Sequence, residues 1–420
     1  MTRAHLIMLT VLVLLIAARS SAGQNVEGLP ARVTLDQVLQ LLDERSPRTA
    51  AERATIDVVA ADRITANTLP NPSLSYGGLR LVSGVSTGAV AQHQFVVDQP
   101  LLLFGQRQTR RDTADLNVSA EQARVAASLA ERRLDVRQAF ATLLARQEQL
   151  RILQDSRTEL QRIEQVVRGR AEEGDRSQYD VLRIETERRM LDIEVMNATT
   201  DVDDAAGRLA ALLGFAGWRP RADGNLNAGN IPTEFDALWD IAQRRRPALV
   251  AIQRKQTAAQ GGVLLAQRQR LPVPSLSGGA LLTREGNGTS AFFGVSLPLP
   301  IFDRNRGAIA RASAEVEAET RAMRSQIAEA RAEIERTRAT FMGRRETLST
   351  VDRDIVQRIP GLRRMAEDAY REGRGDILEL LDASRSLKSI QLLRVKQLEM
   401  TKLAEEEVIA AAGLDAPPVP

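Results

Sequence analysis

Apolar residues along this chain follow two rhythms, one helical and one alternating. From Gln106 to Glu173 there is no Pro and a single Gly. Within that stretch Leu143 and Leu150, and then Leu153, Leu160 and Val167, recur at heptad steps. Such steps draw an apolar stripe along a narrow helix–helix seam. The stretch predicts one continuous helix, roughly 100 Å long at 1.5 Å per residue. Its flanking helical stretches, 35–68 and 175–213, together match its length, so two shorter helices stacked end to end would run beside it. A second set repeats the arrangement at 235–270, 304–372 and 375–413. There Pro360-Gly361 interrupts the long member and predicts a kink, because Pro removes a backbone donor.

Between the helices the period falls to two. Ser73–Val82 and Ala91–Gln99 flank SGVSTG, and Ser275–Leu282 and Ala291–Leu297 flank TREGNGT. Each pair predicts a hairpin. In the second pair Leu276, Gly278, Ala280 and Leu282 share one face, Phe293, Val295 and Leu297 share another, and serines alternate with them. Length and alternation suit transmembrane strands of ~9–11 residues. The first pair alternates less cleanly, which puts Arg80 and Asp98 at a rim or inside. Tyr76, Phe95, Phe292 and Phe293 are candidates for aromatic girdles, with ordinary strand packing as the alternative.

The two sets are copies. LPNPSLSYGG at 69–78 returns as LPVPSLSGGA at 271–280, and PLLLFGQR from Pro100 as PIFDRNR from Pro300. LDQVLQLLDERSP at 35–47 matches FDALWDIAQRRRP at 235–247, and GDRSQYDVL at 174–182 matches GRGDILELL at 373–381. A unit of about 200 residues is duplicated, far longer than the 20–50 residues of solenoid repeats. The expected organisation is a first repeat over 23–213 (hairpin 73–99), a linker over 214–232, a second repeat over 233–414 (hairpin 275–297) and a tail over 415–420. Four strands cannot close a barrel, and an open sheet edge is not tolerated in lipid. Either the hairpins are water-exposed decorations, or several chains pool their strands; three chains would give twelve. The prolines at 70, 72, 272 and 274 would then stop each helix at the membrane boundary.

Composition narrows the chemistry. Lys and Arg number 57 against 54 Asp and Glu in 420 residues, interleaved throughout, whereas a nucleic-acid binder gathers a basic excess. Aromatics are 3%, so long helices packed on helices fit better than a large conventional core. The absence of Cys removes disulfides, thiolate metal sites and a lipid-modified Cys anchor. Two His, one of them His5, supply neither a triad nor a multi-His metal site, and no phosphate-binding Gly loop is present. An enzyme is not expected, and no cofactor is implied. Arg3 and His5, the apolar run Leu6–Ala18 and the small residues Ser20–Ala22 read as a signal peptide over 1–22. A membrane anchor would need ~20 apolar residues.

In these residues the chain resembles the TolC family of bacterial outer-membrane efflux proteins. The resemblance rests on the duplicated layout, LPNPSLSYGG, QPLLLFG, LPLPIFDRNR and YREGRGDILELLDASRSL at 370–387. LPNPSLSYGG and PIFDRNRG are most similar to its heavy-metal cation efflux branch, of the CzcC and CusC kind. The resemblance implies a mainly α fold with a small β part. Long antiparallel helices form a trimeric α-helical tunnel, and each unit adds one hairpin to a shared twelve-stranded barrel in outer-membrane lipid. It implies a homotrimer that meets a periplasmic adaptor and, through it, an inner-membrane efflux pump, with no nucleic acid involved. It places Glu379, Asp382 and Asp180 at a pore constriction and Tyr370 at its closed gate. Gly174, Ser177, Gly373, Gly375 and Asp376 would form the periplasmic tips where the adaptor docks. Threefold rings of acids favour cations; a solvated helix face is the plainer reading of the same acids. Gly174 and Gly373 are expected to make tight turns at positive φ. One departure is Gly375, where some relatives carry an Arg that pairs across the entrance. The rivals are a drug-efflux or type I protein-secretion channel and a periplasmic coiled-coil adaptor, which would not need two hairpins framed by prolines.

Overall fold

The computed structural model describes residues 28–84, 91–172, 177–284, 288–357, 359–372 and 374–415. The expected signal peptide and tail residues 416–420 lie outside them. In order the elements are β1 (Arg32–Val33), α1 (Leu35–Arg45), α2 (Pro47–Asn67), β2 (Ser73–Arg80), β3 (Ala91–Pro100), α3 (Gln106–Glu172), α4 (Gln178–Leu213), β4 (Arg221–Ala222), α5 (Phe235–Arg245), α6 (Pro247–Gln269), β5 (Ser275–Arg284), β6 (Gly288–Ser296), α7 (Arg306–Thr350), α8 (Ile359–Arg371) and α9 (Ile377–Ala412). The fold is mainly α with a small β part, as expected. Among the described residues, no helix is long and apolar enough to cross a membrane. The chain divides into two compact units, one of residues up to Ala51, Ser128–Arg246 and Arg331 onward, the other of Glu52–Ala127 and Pro247–Ala330.

In the first unit the heptad stripe of α3 is buried. Leu153, Leu160 and Val167 pack with Ile184, Leu191 and Val195 of α4 and with Ile377, Leu380 and Leu381 of α9. The 35–68 stretch is not one helix, however. Ser46, with φ −70° and ψ 125°, breaks it, because Pro47 excludes the residue before it from helical geometry. Arg246, with φ −62° and ψ 115°, does the same before Pro247. Into these breaks come the ends of α4 and α9. Both close on a left-handed Gly cap, Gly214 at φ 84° and Gly413 at φ 65°, the conformation Gly adopts most readily. A Cβ on Gly214 would lie 3.2 Å from Pro47 Cδ, and one on Gly413 would lie 2.9 Å from both Cα and N of Arg246. One joint is therefore made twice.

The surroundings of the two joints differ. Around Gly214 the packing is apolar, from Leu42, Leu209, Leu213, Phe215 and Trp218, with Trp218 Nε1 donating to the Pro30 carbonyl at 3.1 Å. Around Gly413 it is charged. Arg246 donates to the Ala411 carbonyl at 3.1 Å and pairs with Glu333. About three turns back along α9, Lys402 meets the buried Glu405 at 2.7 Å and the buried Glu406 at 3.1 Å. Arg137 reaches Glu406 from α3 at 3.2 Å. Burial works against the Lys402 charge, but the two carboxylates outweigh it and hold the amine above the usual lysine range.

The kink expected at Pro360-Gly361 falls earlier. The backbone slips to a π-helical turn over Val351–Val356, and α8 begins at Ile359. Pro360 thus sits in the first turn of a new helix, where its missing N–H leaves no helical bond unmade. Arg394 of α9 pairs with Asp352 in the π turn at 2.7 Å.

In the second unit both hairpins join one antiparallel sheet, ordered β2-β3-β5-β6. Its register pairs Tyr76 with Phe95, Phe95 with Ala280, and Ala280 with Ala291. Partners across a sheet share a face and alternate residues do not. Leu74, Tyr76, Phe95, Val97, Leu276, Leu282, Phe293 and Val295 therefore form one apolar face. This revises the expectation that Phe293 and Val295 face away from Leu276 and Gly278, since Gly278 pairs with Phe293 and Leu276 with Val295. The face is bare: Leu74 is 73%, Phe293 92% and Val295 75% exposed. The other face carries Ser73, Ser75, Gln92, Gln94, Asp98, Ser277 and Ser290, with Leu79, Val96, Leu281 and Phe292 as apolar exceptions. Phe292 is thus parted from the proposed girdle. Its ring lies over Gly279, where a Cβ would come within 2.8 Å of it.

The repeated prolines stop α2 and α6 as expected, and their carbonyls are used as well. Leu101 N donates to Pro274 O at 2.7 Å, Gln99 to Pro70 O at 2.9 Å and Gln106 to Pro272 O at 3.4 Å. Asp98, on the polar face, accepts from the Ser275 hydroxyl at 2.8 Å.

Two sets of substitutions test these packings. Gly413→Ala and Gly105→Ala both force a side chain into left-handed geometry, at about 1–2 kcal/mol each, but a Cβ at Gly105 meets nothing within 4 Å. Thermal unfolding is expected to show Gly413→Ala the more destabilising by at least a further ~1 kcal/mol; equal shifts in Tm count against the joint. Likewise Gly279→Val is expected to abolish the assembled, heat-resistant species on gels. Gly77→Val, on the same face with open space around it, should leave that species intact.

Candidate functional site

The site expected at the helix tips is built by the starts of α4 and α9, both in the first unit. Ser177 is the N-cap of α4 but makes no side-chain cap bond. Asp376 caps α9, its carboxylate accepting from Glu379 N at 2.9 Å. Counting from these caps, Asp180 and Glu379 occupy the same third helical position in the two copies. Negative charge there is favoured by the helix dipole. Glu379 is exposed and Asp180 half-buried. Neither has an ion-pair partner among the described residues.

Asp382, one turn after Glu379, is also exposed, but it lies in the field of Arg385, whose charge it helps stabilise. Gly375 is a point of close approach: its N–H donates to Ala369 O at 2.9 Å, and a Cβ would lie 3.2 Å from Ala369 Cβ. Its neighbour Arg374 pairs with Glu372 rather than with Asp180. Gly174 and Gly373 lie outside the described residues.

Tyr370, unlike Glu379 and Asp382, is buried. It is 2% exposed and packs in the seam with Val167, Ile377 and Leu381. Arg170 of α3 stands 5.5 Å from its ring centroid and donates to its carbonyl at 3.1 Å. Its place is in the packing that supports the tip, and its ring does not reach an open surface of this chain.

Sequence reasoning missed what holds α4 to α9. Arg385 grips Glu187 in a two-pronged contact, one prong at 2.7 Å, and Lys388 holds both oxygens of Glu194 at 2.9 Å. Glu187 and Glu194 are one heptad apart, a signal the charged composition hid. The hydrogen bond from Arg385 keeps the Glu187 carboxyl below the usual carboxylate range, against the opposing pull of burial. A lowered carboxyl pKa stabilises the fold above the ordinary carboxylate range and ceases to do so as pH falls through the lowered value. The clamp is therefore closed at neutral pH. Beside it runs a groove of about 330 Å³ between α3, α4 and α9, lined by Asp155, Glu159, Arg162, Glu187, Arg385 and Lys388 among others.

The chain matches the family model described as outer membrane efflux protein over residues 38–215 and 238–414. It is 27% identical over 279 residues to the cobalt-zinc-cadmium resistance protein CzcC of Cupriavidus metallidurans, a match spanning 66% of this chain and 65% of that relative. Among solved structures, CusC superposes with a TM-score of 0.71 at 17% identity, covering 94% of this chain and 95% of its own. A membrane protein from Pseudomonas aeruginosa does so with a TM-score of 0.71 at 20% identity, covering 90% and 93%. At such identities the two structures speak to the fold alone, and the fold is that of these channels. The family model covers both copies of the duplicated unit and most of the chain, and so the protein belongs to the outer membrane efflux protein family.

Proposed function

We propose that this chain is one third of a trimeric outer-membrane channel, and that it conducts heavy-metal cations delivered by an inner-membrane pump through a periplasmic adaptor. The observation that carries the reading is the sheet. It has one apolar face, one mainly polar face and two outer strands, β2 and β6, that each have a single neighbour. In lipid such edges need partners. Three copies side by side would supply them, turning the apolar face outward and the polar face onto a water-filled lumen.

The cargo reading draws on the likeness to a cobalt-zinc-cadmium resistance protein and on the acids at the helix starts. Asp180 and Glu379, with Asp382 behind them, would repeat threefold as rings of negative charge, which attract cations. The adaptor would dock at the tips formed by Gly174, Ser177, Gly373, Gly375 and Asp376. Of these, Gly375 is bonded back to Ala369 near the end of α8, and Asp376 caps the start of α9. The chain itself would do no chemistry; transport energy would come from the pump.

Two experiments decide the parts separately. In planar bilayers the Glu379→Gln/Asp382→Asn double variant should lower the cation-to-anion permeability ratio several-fold, and an unchanged ratio sinks the acidic ring. Removing residues 275–297 should abolish outer-membrane insertion and the heat-resistant oligomer. A truncated protein that still inserts would end the shared-barrel reading.

A further inference from the structure

At the loop end of the sheet two arginines stand on the apolar face. Ala91 pairs with Arg80 on one side and with Arg284 on the other. The two arginines thus flank a single methyl group, two strand spacings or roughly 10 Å apart. Both are exposed, and neither meets a carboxylate among the described residues. The next row of the same face is Gly78, His93 and Leu282, and the one after it Tyr76, Phe95 and Ala280. Tyr76 Oη and His93 Nδ1 lie 2.8 Å apart with their rings stacked, and Phe95 stands 5.1 Å from the Tyr76 ring. Gly78 leaves room for this, since a Cβ there would come within 3.3 Å of Tyr76 Oη. Tyr76, His93, Phe95 and Leu282 line a shallow recess of about 470 Å³ directly beneath the arginine pair.

We propose that this is a binding site for a phosphorylated glycolipid of the outer leaflet, with its phosphate between Arg80 and Arg284 and an acyl chain in the aromatic recess. The proposal rests on the reading of this face as lipid-facing. The helices leave the sheet at the opposite strand ends, so the arginines would lie on the outer side. A charge on a lipid-facing strand is costly at mid-membrane and far less so near the interface; two arginines at the strand ends fit headgroup depth. Guanidinium forks bind phosphate oxygens two at a time, and the Ala91 methyl leaves space between them. Tyr and His carry polar tips on apolar rings, which suits the layer between headgroup and chains. A phosphate without acyl chains would leave the recess unused.

The test uses the full chain in zwitterionic detergent, titrated with bisphosphoryl lipid A and followed by native mass spectrometry. The Arg80→Gln/Arg284→Gln variant should bind at least tenfold more weakly, while Arg80→Lys/Arg284→Lys should stay within a few-fold of the parent. Removing the phosphates from the probe should weaken binding to the parent protein to a similar extent. Conductance in planar bilayers should be the same for parent and Gln variant. Equal lipid A affinity in parent and Gln variant, with both conducting, overturns the lipid site and leaves the barrel standing. Failure of the parent protein to enter bilayers at all would remove both.

Discussion

Backbone amides and carbonyls have no water to turn to inside a bilayer, and each one left bare costs several kcal/mol. The four-stranded sheet of this protein satisfies its inner strands, β3 and β5, and leaves the outward edges of β2 and β6 open. A side chain cannot relieve such an edge; only another strand can. The same sheet exposes large apolar side chains on one face, which in water would invite aggregation, and keeps Ser, Gln and Asp on the other. Lipid suits the first face, water the second and further copies of the chain the edges. Within the family to which the chain belongs, a pooled barrel meets all three demands at once.

Duplication has preserved backbone geometry more strictly than side-chain chemistry. Both copies break a helix before a Pro, and both bring a left-handed Gly cap up against the break. Gly is favoured at both caps by the φ value, and at Gly413 the Arg246 backbone also leaves no room for a side chain. Around that shared joint the first copy packs Trp218 and Phe215, while the second pairs Arg246 with Glu333 and, farther back along α9, buries Glu405 and Glu406. Buried charges of that kind are tolerated only when fully paired, and here Arg137 and Lys402 pair them. The long helices differ too: α3 is continuous, whereas its counterpart slips into a π turn at Val351–Val356.

Much of this was legible in the sequence, for definite reasons. Heptad spacing exposed the seam of α3 because burial along a helix is periodic. The paired LPxPSLS motifs exposed the hairpins because Pro and alternation are strong local signals. The break at Ser46 was readable in principle from Pro47, yet the uninterrupted apolar pattern on either side concealed it. The π turn precedes its Pro and has no composition of its own. Strand faces could be read only within a strand: nothing local aligns Leu276 with Val295 or parts Phe292 from Phe95, because register is a property of two strands together. At the tip, the acids were visible but their company was not. Glu187 and Glu194 look like Glu379 in sequence and differ only in what stands opposite.

On the proposed reading, that difference decides which acids would act on a passing ion. An acid acts at a distance only with charge that nearby groups have not offset. Glu187 and Glu194 are held by Arg385 and Lys388, and Asp376 is occupied as a helix cap. Asp382 shares the field of Arg385. Asp180 and Glu379 remain, at matching positions of the two copies, with no ion-pair partner among the described residues. Since Arg385 both tempers Asp382 and clamps α4 to α9, the charge presented at the tip is coupled to how firmly the two helices are held. A movement that parted Arg385 from Glu187 would also change the charge beside Asp382, so on the proposed reading such a movement would act on the geometry of the entrance and on its electrostatics together.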